Sequence, residues 1–600
     1  MRSKYFSSPA IFNFRFRMVR MYVRIKEKLP RVKCMFRKKI SAAVSVLLCV
    51  LLLGGCVLDS LLEFDRADYT AKEICRFDDM EYVRPDVQAF EDKAQEIEQA
   101  LTDGTKLKTV KALLDELYAM YYSFDTMYTL ADIRSCQDVS DSYYAAEYDW
   151  CSDAYYDMQE IIDGVYYACA ASPLGAKLEE EYFWDGFCDE YADSGESVYT
   201  DEYQQLVYRE NELLSQYRSL AADTGIELDG REWTLEEYFT QEDSDIQRGY
   251  EAYYEKNNPL IGEIYIELVN VRNEQAALLG YDSYAQMQYE LSYDRDFSPE
   301  EGERYIEAIK EYIVPVYKEI MQQDPYSSLS YEYVSDRELK WLLQSAAENM
   351  GGDIAEAFDF MKTYELWDVE LHENKANMSF QTYLQDYEAP FLFIDPYGDS
   401  EDIISVCHEF GHYVDAYVNF NAYETMDLAE CFSQSMQYLG LSAMQGSLAD
   451  DEFENLMRMN LLDTLETFVQ QASFAEFENR VYEAEELSLE WINALSLELA
   501  QEYGCYDGVN DTYYAMSWVD TPHFFSAPYY VISYAASAGV ALEIYALELE
   551  ESGAGFDKFC ELVQRSGSGL REVTGAADLP DPLSDEQTQK AAALFARELL

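Results

Sequence analysis

Apolar residues recur at helical spacing along most of the chain beyond Val87. Val110, Leu113, Leu114, Leu117, Met120 and Tyr121 predict one face of an amphipathic helix. Ile264, Ile266, Leu268, Val269 and Val271, followed by Ala276, Ala277 and Leu279, predict a second helix. It is expected to stop at Gly280, because glycine just past the last periodic residue ends a helix at little cost. Ser298 before Pro299-Glu300-Glu301 predicts a helix start, with proline in the first turn and acids at the positive end of the dipole. The 53 tyrosines suit such faces, since a ring packs while its hydroxyl reaches a polar partner. The fold class expected is mainly α.

One segment breaks the period. Ala389 to Pro396 is a short apolar run bounded by prolines, and it predicts a strand at the edge of a small sheet. Tyr397-Gly398-Asp399 then predicts a turn, and Ser400 with Glu401-Asp402 opens a helix. Within that helix Ile403, Cys407, Phe410, Val414 and Val418 form an apolar stripe. His408 and His412 stand four apart beside it, one turn above each other. Two imidazoles so placed can hold one Zn2+, and Glu409 between them can take a proton from the attacking water. The chain has only 4 histidines, so this pattern is hard to reach by chance. Catalytic zinc takes three protein ligands, and the third is expected from a following helix. Glu430 is the first choice and Glu424 the competitor, with Asp427 steadying a ligand histidine. Further on, His523 precedes Tyr530 and Tyr534, whose hydroxyls lie one helical turn apart and suit the stabilisation of an oxyanion.

Charge and composition narrow the picture. The formal net charge is -71, although thirteen of the 44 Lys and Arg residues lie in the first 40 positions beside a single acid, Glu27. A body this acidic repels phosphate backbones, so nucleic acid is excluded as a partner. At 48% hydrophobic residues the chain can bury a sizeable core, as two or three packed units or one large helical body. The basic start leads through Arg37-Lys38-Lys39 into an apolar run, Ile40 to Leu53, too short for a comfortable membrane span. The following Gly54-Gly55-Cys56 resembles a bacterial lipobox. Residues 1–56 are therefore expected to be a lipoprotein-type signal peptide, with Cys56 lipidated and the body extracytoplasmic at the cell membrane; an uncleaved signal anchor is the alternative. None of the nine cysteines beyond Cys56 forms a CxxC pair, which argues against a structural cysteine–zinc site. Asp223-Thr224-Gly225 and Asp229-Gly230 suggest a division into an N-terminal helical region, 57–225, and a metal-bearing region, 226–600.

These residues together resemble the thimet oligopeptidase and oligoendopeptidase F family. His408-Glu409-Phe410-Gly411-His412 is similar to its zinc helix, and Asp427-Leu428-Ala429-Glu430 to its third-ligand helix. His523 to Tyr534, with Pro528-Tyr529-Tyr530, is similar to its substrate-binding segment. Phe380-Gln381-Thr382-Tyr383 and Pro390-Phe391-Leu392-Phe393 resemble its cleft-wall strands. Val271-Arg272-Asn273, Leu279-Gly280-Tyr281 and Gly567-Ser568 also fit. Asp415 departs from the pattern, standing where the family often has a third histidine. The resemblance implies a two-lobed helical zincin with a deep channel, one Zn2+ per chain and a small sheet beside the zinc helix. It implies a metalloendopeptidase acting on short unfolded oligopeptides, with Glu409 as base and with His523, Tyr530 and Tyr534 at the oxyanion. Phe391, Leu392, Phe393 and Tyr529 would line the substrate. The rival reading is a surface lipoprotein that captures peptides without cleaving them.

Overall fold

Helices carry most of the chain, as the periodicity predicts. The computed structural model describes residues 71–600, apart from 185, 193–200, 242–244, 373, 422–424 and 566–568. The signal segment with Cys56, the competitor Glu424 and the Gly567-Ser568 pair lie outside the described residues.

Three helices, α1 (Val87–Thr102), α2 (Leu107–Gln137) and α3 (Ser142–Ala171), pack on one another. Asp86 and Asp141 cap α1 and α3 by accepting from first-turn amides, which would otherwise lack partners. Val110, Leu114, Leu117 and Tyr121 of α2 are buried against Phe90, Ile97 and Tyr166, with Leu113 and Met120 at the margin. A second, larger core takes up the rest of the molecule. α2 belongs to both: Tyr128 and Ala131 lie in the first core, and Met127, Leu130 and Ile133 in the second.

The larger core already includes Leu213 and Tyr217 of α4 (Asp201–Ala221). Strands β1 (Gly225–Leu228) and β2 (Arg231–Thr234) follow as an antiparallel hairpin. Asp229 and Gly230, expected near a boundary, are its two turn residues, at φ +55° and +71°. A two-residue turn with both residues left-handed matches the twist of the flanking strands, which is why Asp-Gly favours it. α5 (Ile246–Leu278) follows, and Gly280 stands just beyond its end at φ +85°. Ser298 caps the helix beginning at Pro299 in a reciprocal capping box with Glu301.

The small sheet has strands β3 (Trp367–Asp368), β4 (Phe380–Leu384) and β5 (Ala389–Phe393) in the order β3-β5-β4. This corrects the edge-strand expectation. β5 is central, antiparallel to β4 and parallel to β3, and Phe391, Leu392 and Phe393 are fully buried. With both sides of the strand already paired, these residues cannot offer their backbone to a substrate. Pro390 is tolerated because β3 pairs only with Leu392 and Phe393, beyond it. The site is assembled by helices α6 (Glu401–Asn419), α7 (Met426–Met444), α8 (Asp450–Tyr482), α9 (Pro522–Ser526) and α10 (Ile532–Glu550).

Candidate metal centre

The turn before α6 is tied down by its own helix. The amides of Tyr397, Gly398 and Asp399 all donate to the Asp402 carboxylate, at 2.8, 2.7 and 3.1 Å. Ser400 occupies the cap position without capping; Asp399 accepts from the Glu401 amide instead, at 2.9 Å. Ile403, Cys407, Phe410 and Val414 are buried as the stripe predicts, and Val418 is half-buried. Gly411 explains how α6 meets α7. A Cβ there would stand 2.5 Å from the Phe432 carbonyl oxygen and 2.6 Å from the Ser433 Cα, so the two backbones approach as closely as glycine allows. Further along α7, Gly440 makes room for a side chain of α6: a Cβ there would meet the Cys407 sulfur at 2.7 Å.

That crossing brings Glu430 under the two histidines. Its Oε2 lies 3.5 Å from His408 Nε2 and 3.9 Å from His412 Nε2, and one ligand atom from each residue falls within 4.8 Å of the others. All three are buried or nearly so. Desolvation, reinforced by the neighbouring His412, pushes His408 well below the usual histidine range; desolvation alone pushes His412 down to about 4. Both rings are therefore neutral, the state in which imidazole binds a metal. Burial raises Glu430 to about 7, opposed by hydrogen bonds from Ser433 Oγ (3.0 Å, to Oε2) and the Tyr530 hydroxyl (3.4 Å, to Oε1). Two imidazoles and a carboxylate are a donor set that fits a zinc ion. His408 Nε2 is buried with no hydrogen-bond partner, as expected of an atom whose lone pair is reserved for a metal.

The second cluster meets the first. The His523 ring stacks on Tyr530 at 5.6 Å, and Tyr534 stands edge-on to Tyr530 at 5.0 Å and to His523 at 5.9 Å. Desolvation lowers His523 to about 4. It raises the Tyr534 phenol well above its ordinary range, with Glu430 and Glu409 adding to the effect, so Tyr534 keeps its proton and can donate it. Residues more than a hundred positions apart thus share one buried centre.

Two further expectations are corrected. Asp427 does not steady a histidine; its carboxylate pairs with Arg295 Nε at 3.1 Å, both side chains being fully buried. Gln437 is the residue that hydrogen-bonds the His408 ring. Tyr529 packs its ring on Tyr482, Tyr289 and Tyr284, and its amide donates to Glu478 Oε1 at 2.9 Å, so it anchors the segment instead of lining a cleft. Sequence reasoning missed Ser433, Gln437, Arg295 and Glu478. The first two carried a usable signal, lying three and seven residues after Glu430 on one helix face. Arg295 and Glu478 carried none, because the residues they hold are remote in the chain.

Residues 77–187 match the peptidase M3 N-terminal domain and residues 356–569 match peptidase family M3. Oligopeptidase PepF of Bacillus subtilis (strain 168) is 23% identical over 357 residues, covering 57% of this chain and 49% of the relative. The chromosomal oligoendopeptidase F of Lactococcus lactis subsp. cremoris is 27% identical over 307 residues, 46% of this chain and 49% of the relative. The chain thus spans about half the length of these curated relatives. The solved structure of PZ peptidase A with inhibitor 2 superposes with a TM-score of 0.70 at 21% identity, over 87% of this chain and 99% of that one, a likeness of fold.

Proposed function

The chain belongs to peptidase family M3, and on that premise we propose that it is a zinc-dependent metalloendopeptidase hydrolysing short, unfolded oligopeptides. The observation that carries the reading is the convergence of His408, His412 and Glu430 beside Glu409, with the Tyr530 hydroxyl donating to Glu430 and with His523 and Tyr534 packed against Tyr530. His408, His412 and Glu430 would hold the zinc, which when bound would supply a Lewis acid for the scissile carbonyl and for water. Glu409 takes the proton from the attacking water and returns it to the leaving amine. The Tyr530 and Tyr534 hydroxyls, with His523, donate hydrogen bonds to the oxyanion, which needs them more than the planar carbonyl does. Substrate pairing falls to β4, which among the described residues has no strand on its outer side. Export and lipidation at Cys56 belong to the same proposal and rest on the sequence alone.

The test is hydrolysis of a quenched fluorescent peptide by purified protein, before and after a zinc chelator and again after zinc is restored. Activity lost to the chelator and recovered with zinc supports the reading. Binding of the peptide without cleavage in the zinc-loaded protein would leave a peptide-capturing protein instead.

A further inference from the structure

Tyr530 and Tyr534 must stand at a set distance from Glu430, yet the tyrosines and the glutamate lie on separate stretches of chain. One loop holds both stretches. The Tyr293 hydroxyl donates to the Pro528 carbonyl at 2.9 Å, and Arg295 Nη2 donates to Ser533 Oγ at 2.8 Å, so the loop grips the tyrosine segment on either side of Tyr530. Arg295 Nε at the same time reaches the Asp427 carboxylate, three residues before Glu430 on α7. Ser537, one turn beyond Ser533, closes the joint by donating to the Asp427 carbonyl at 2.6 Å. A planar guanidinium has its donors in a rigid fork, so two partners held by it are held at a fixed separation.

The surroundings preserve that geometry. The Tyr289 and Tyr293 rings cover the guanidinium at 4.3 and 4.6 Å, and its exposure is 0%. Asp294 and Tyr529, one on each side of the joint, are left-handed at φ +44° and +67°, and a π-helical turn, Gln288–Ser292, immediately precedes the loop. Such backbone is unfavourable for residues with side chains and persists only where neighbours hold it in place.

We propose that Arg295 is a positioning residue for amide hydrolysis, setting the spacing between Glu430 and the Tyr530 and Tyr534 hydroxyls. The inference rests on the peptidase reading and deepens it. Arg295 acts through residues that meet the transition state, so its loss is read in kcat and not in KM.

The experiment compares Arg295→Lys and Ser533→Ala with the parent, all as zinc-loaded full-length protein. Lysine can pair with Asp427 but cannot span to Ser533. Ser533→Ala leaves the buried ion pair intact and removes only the tie across the joint. Expected are kcat losses of about tenfold or more for Arg295→Lys and about threefold or more for Ser533→Ala, with KM within about twofold and zinc content unchanged. Affinity for a phosphinic peptide, a tetrahedral analogue, falls in step with kcat, while affinity for a peptide N-methylated at the scissile amide stays level. Parental kcat in both variants, or equal loss of both affinities, overturns the positioning role. If Arg295→Lys does not fold, Ser533→Ala decides alone. A zinc-loaded parent that cleaves no peptide overturns the peptidase reading itself, and the positioning role with it.

Discussion

The two sides of the centre are held in place by different means. His408, His412 and Glu430 stand on regular helices, and their mutual placement follows from helical rise and from a backbone contact at Gly411. His523 stands on the short α9, Tyr534 in the first turn of α10 and Tyr530 on the irregular stretch between them, a segment held by buried side chains from elsewhere. Arg272 donates to the carbonyls of Phe524 and Phe525, Glu478 accepts from Tyr529, and Tyr293 and Arg295 hold Pro528 and Ser533. The metal side is thus stiff because its backbone is regular. The tyrosine side is stiff only while its distant partners are paired. Damage to the first should register in metal content and stability, and damage to the second in turnover.

The largest expected effect is that of Glu409→Gln, which keeps the shape but cannot take a proton. It should lower kcat by about 10²–10⁴-fold with zinc retained in elemental analysis. Loss of metal along with turnover would place Glu409 among the holding groups and blur the distinction. Tyr530→Phe is next, with kcat expected at least about tenfold lower, the low side of what one oxyanion donor contributes. Because the Tyr530 hydroxyl also donates to Glu430, zinc content is the sharper readout. Unchanged zinc keeps the two sides separate, and a fall makes them one unit. Gly411→Ala should destabilise by about 1–3 kcal/mol in urea unfolding and lower zinc content together, because the added methyl forces α6 off α7. A variant with parental stability would remove the close crossing as the cause of ligand placement.

The smallest effect concerns pH. Burial raises Glu478 to about 8, opposed by the Tyr529 amide and by Arg272 and Arg295. A folded value above the unfolded one means that the folded chain holds the extra proton. Its contribution to stability is full at acid pH and is lost as pH rises through about 8. Glu478→Gln, which retains an acceptor for the Tyr529 amide, should therefore lose less of its urea midpoint than the parent does between about pH 5.5 and about pH 8.5. Parallel slopes would show that this carboxyl ionises equally in both states.

The same contrast explains what could be read in advance. His408, Glu409 and His412 were legible because four-residue spacing on a helix is a local property, and Glu430 because a second helix nearby offered a carboxylate. The helical stripe at Ile403, Cys407 and Phe410 was legible for the same reason. The position of β5 was not. Five apolar residues beside prolines look alike at an edge or a centre, and the deciding fact, a two-residue partner strand that starts beyond Pro390, lies more than twenty residues upstream. Asp427 was misassigned because its true partner, Arg295, is 132 residues away. Asp229-Gly230, noted in the sequence for a boundary, forms the turn of the β1–β2 hairpin, a local role that its left-handed backbone suits.

α2 lends one face to each core, Tyr128 and Ala131 to the smaller and Met127, Leu130 and Ile133 to the larger. Melting either core strips water-shy residues from a helix that the other still needs. Opening either core therefore exposes part of a helix that the other also packs, which couples the stability of the two. A fragment cut before α4 would carry Met127, Leu130 and Ile133 as an open apolar strip, inviting self-association. The cohesion of the small bundle is in this sense a property of the whole chain.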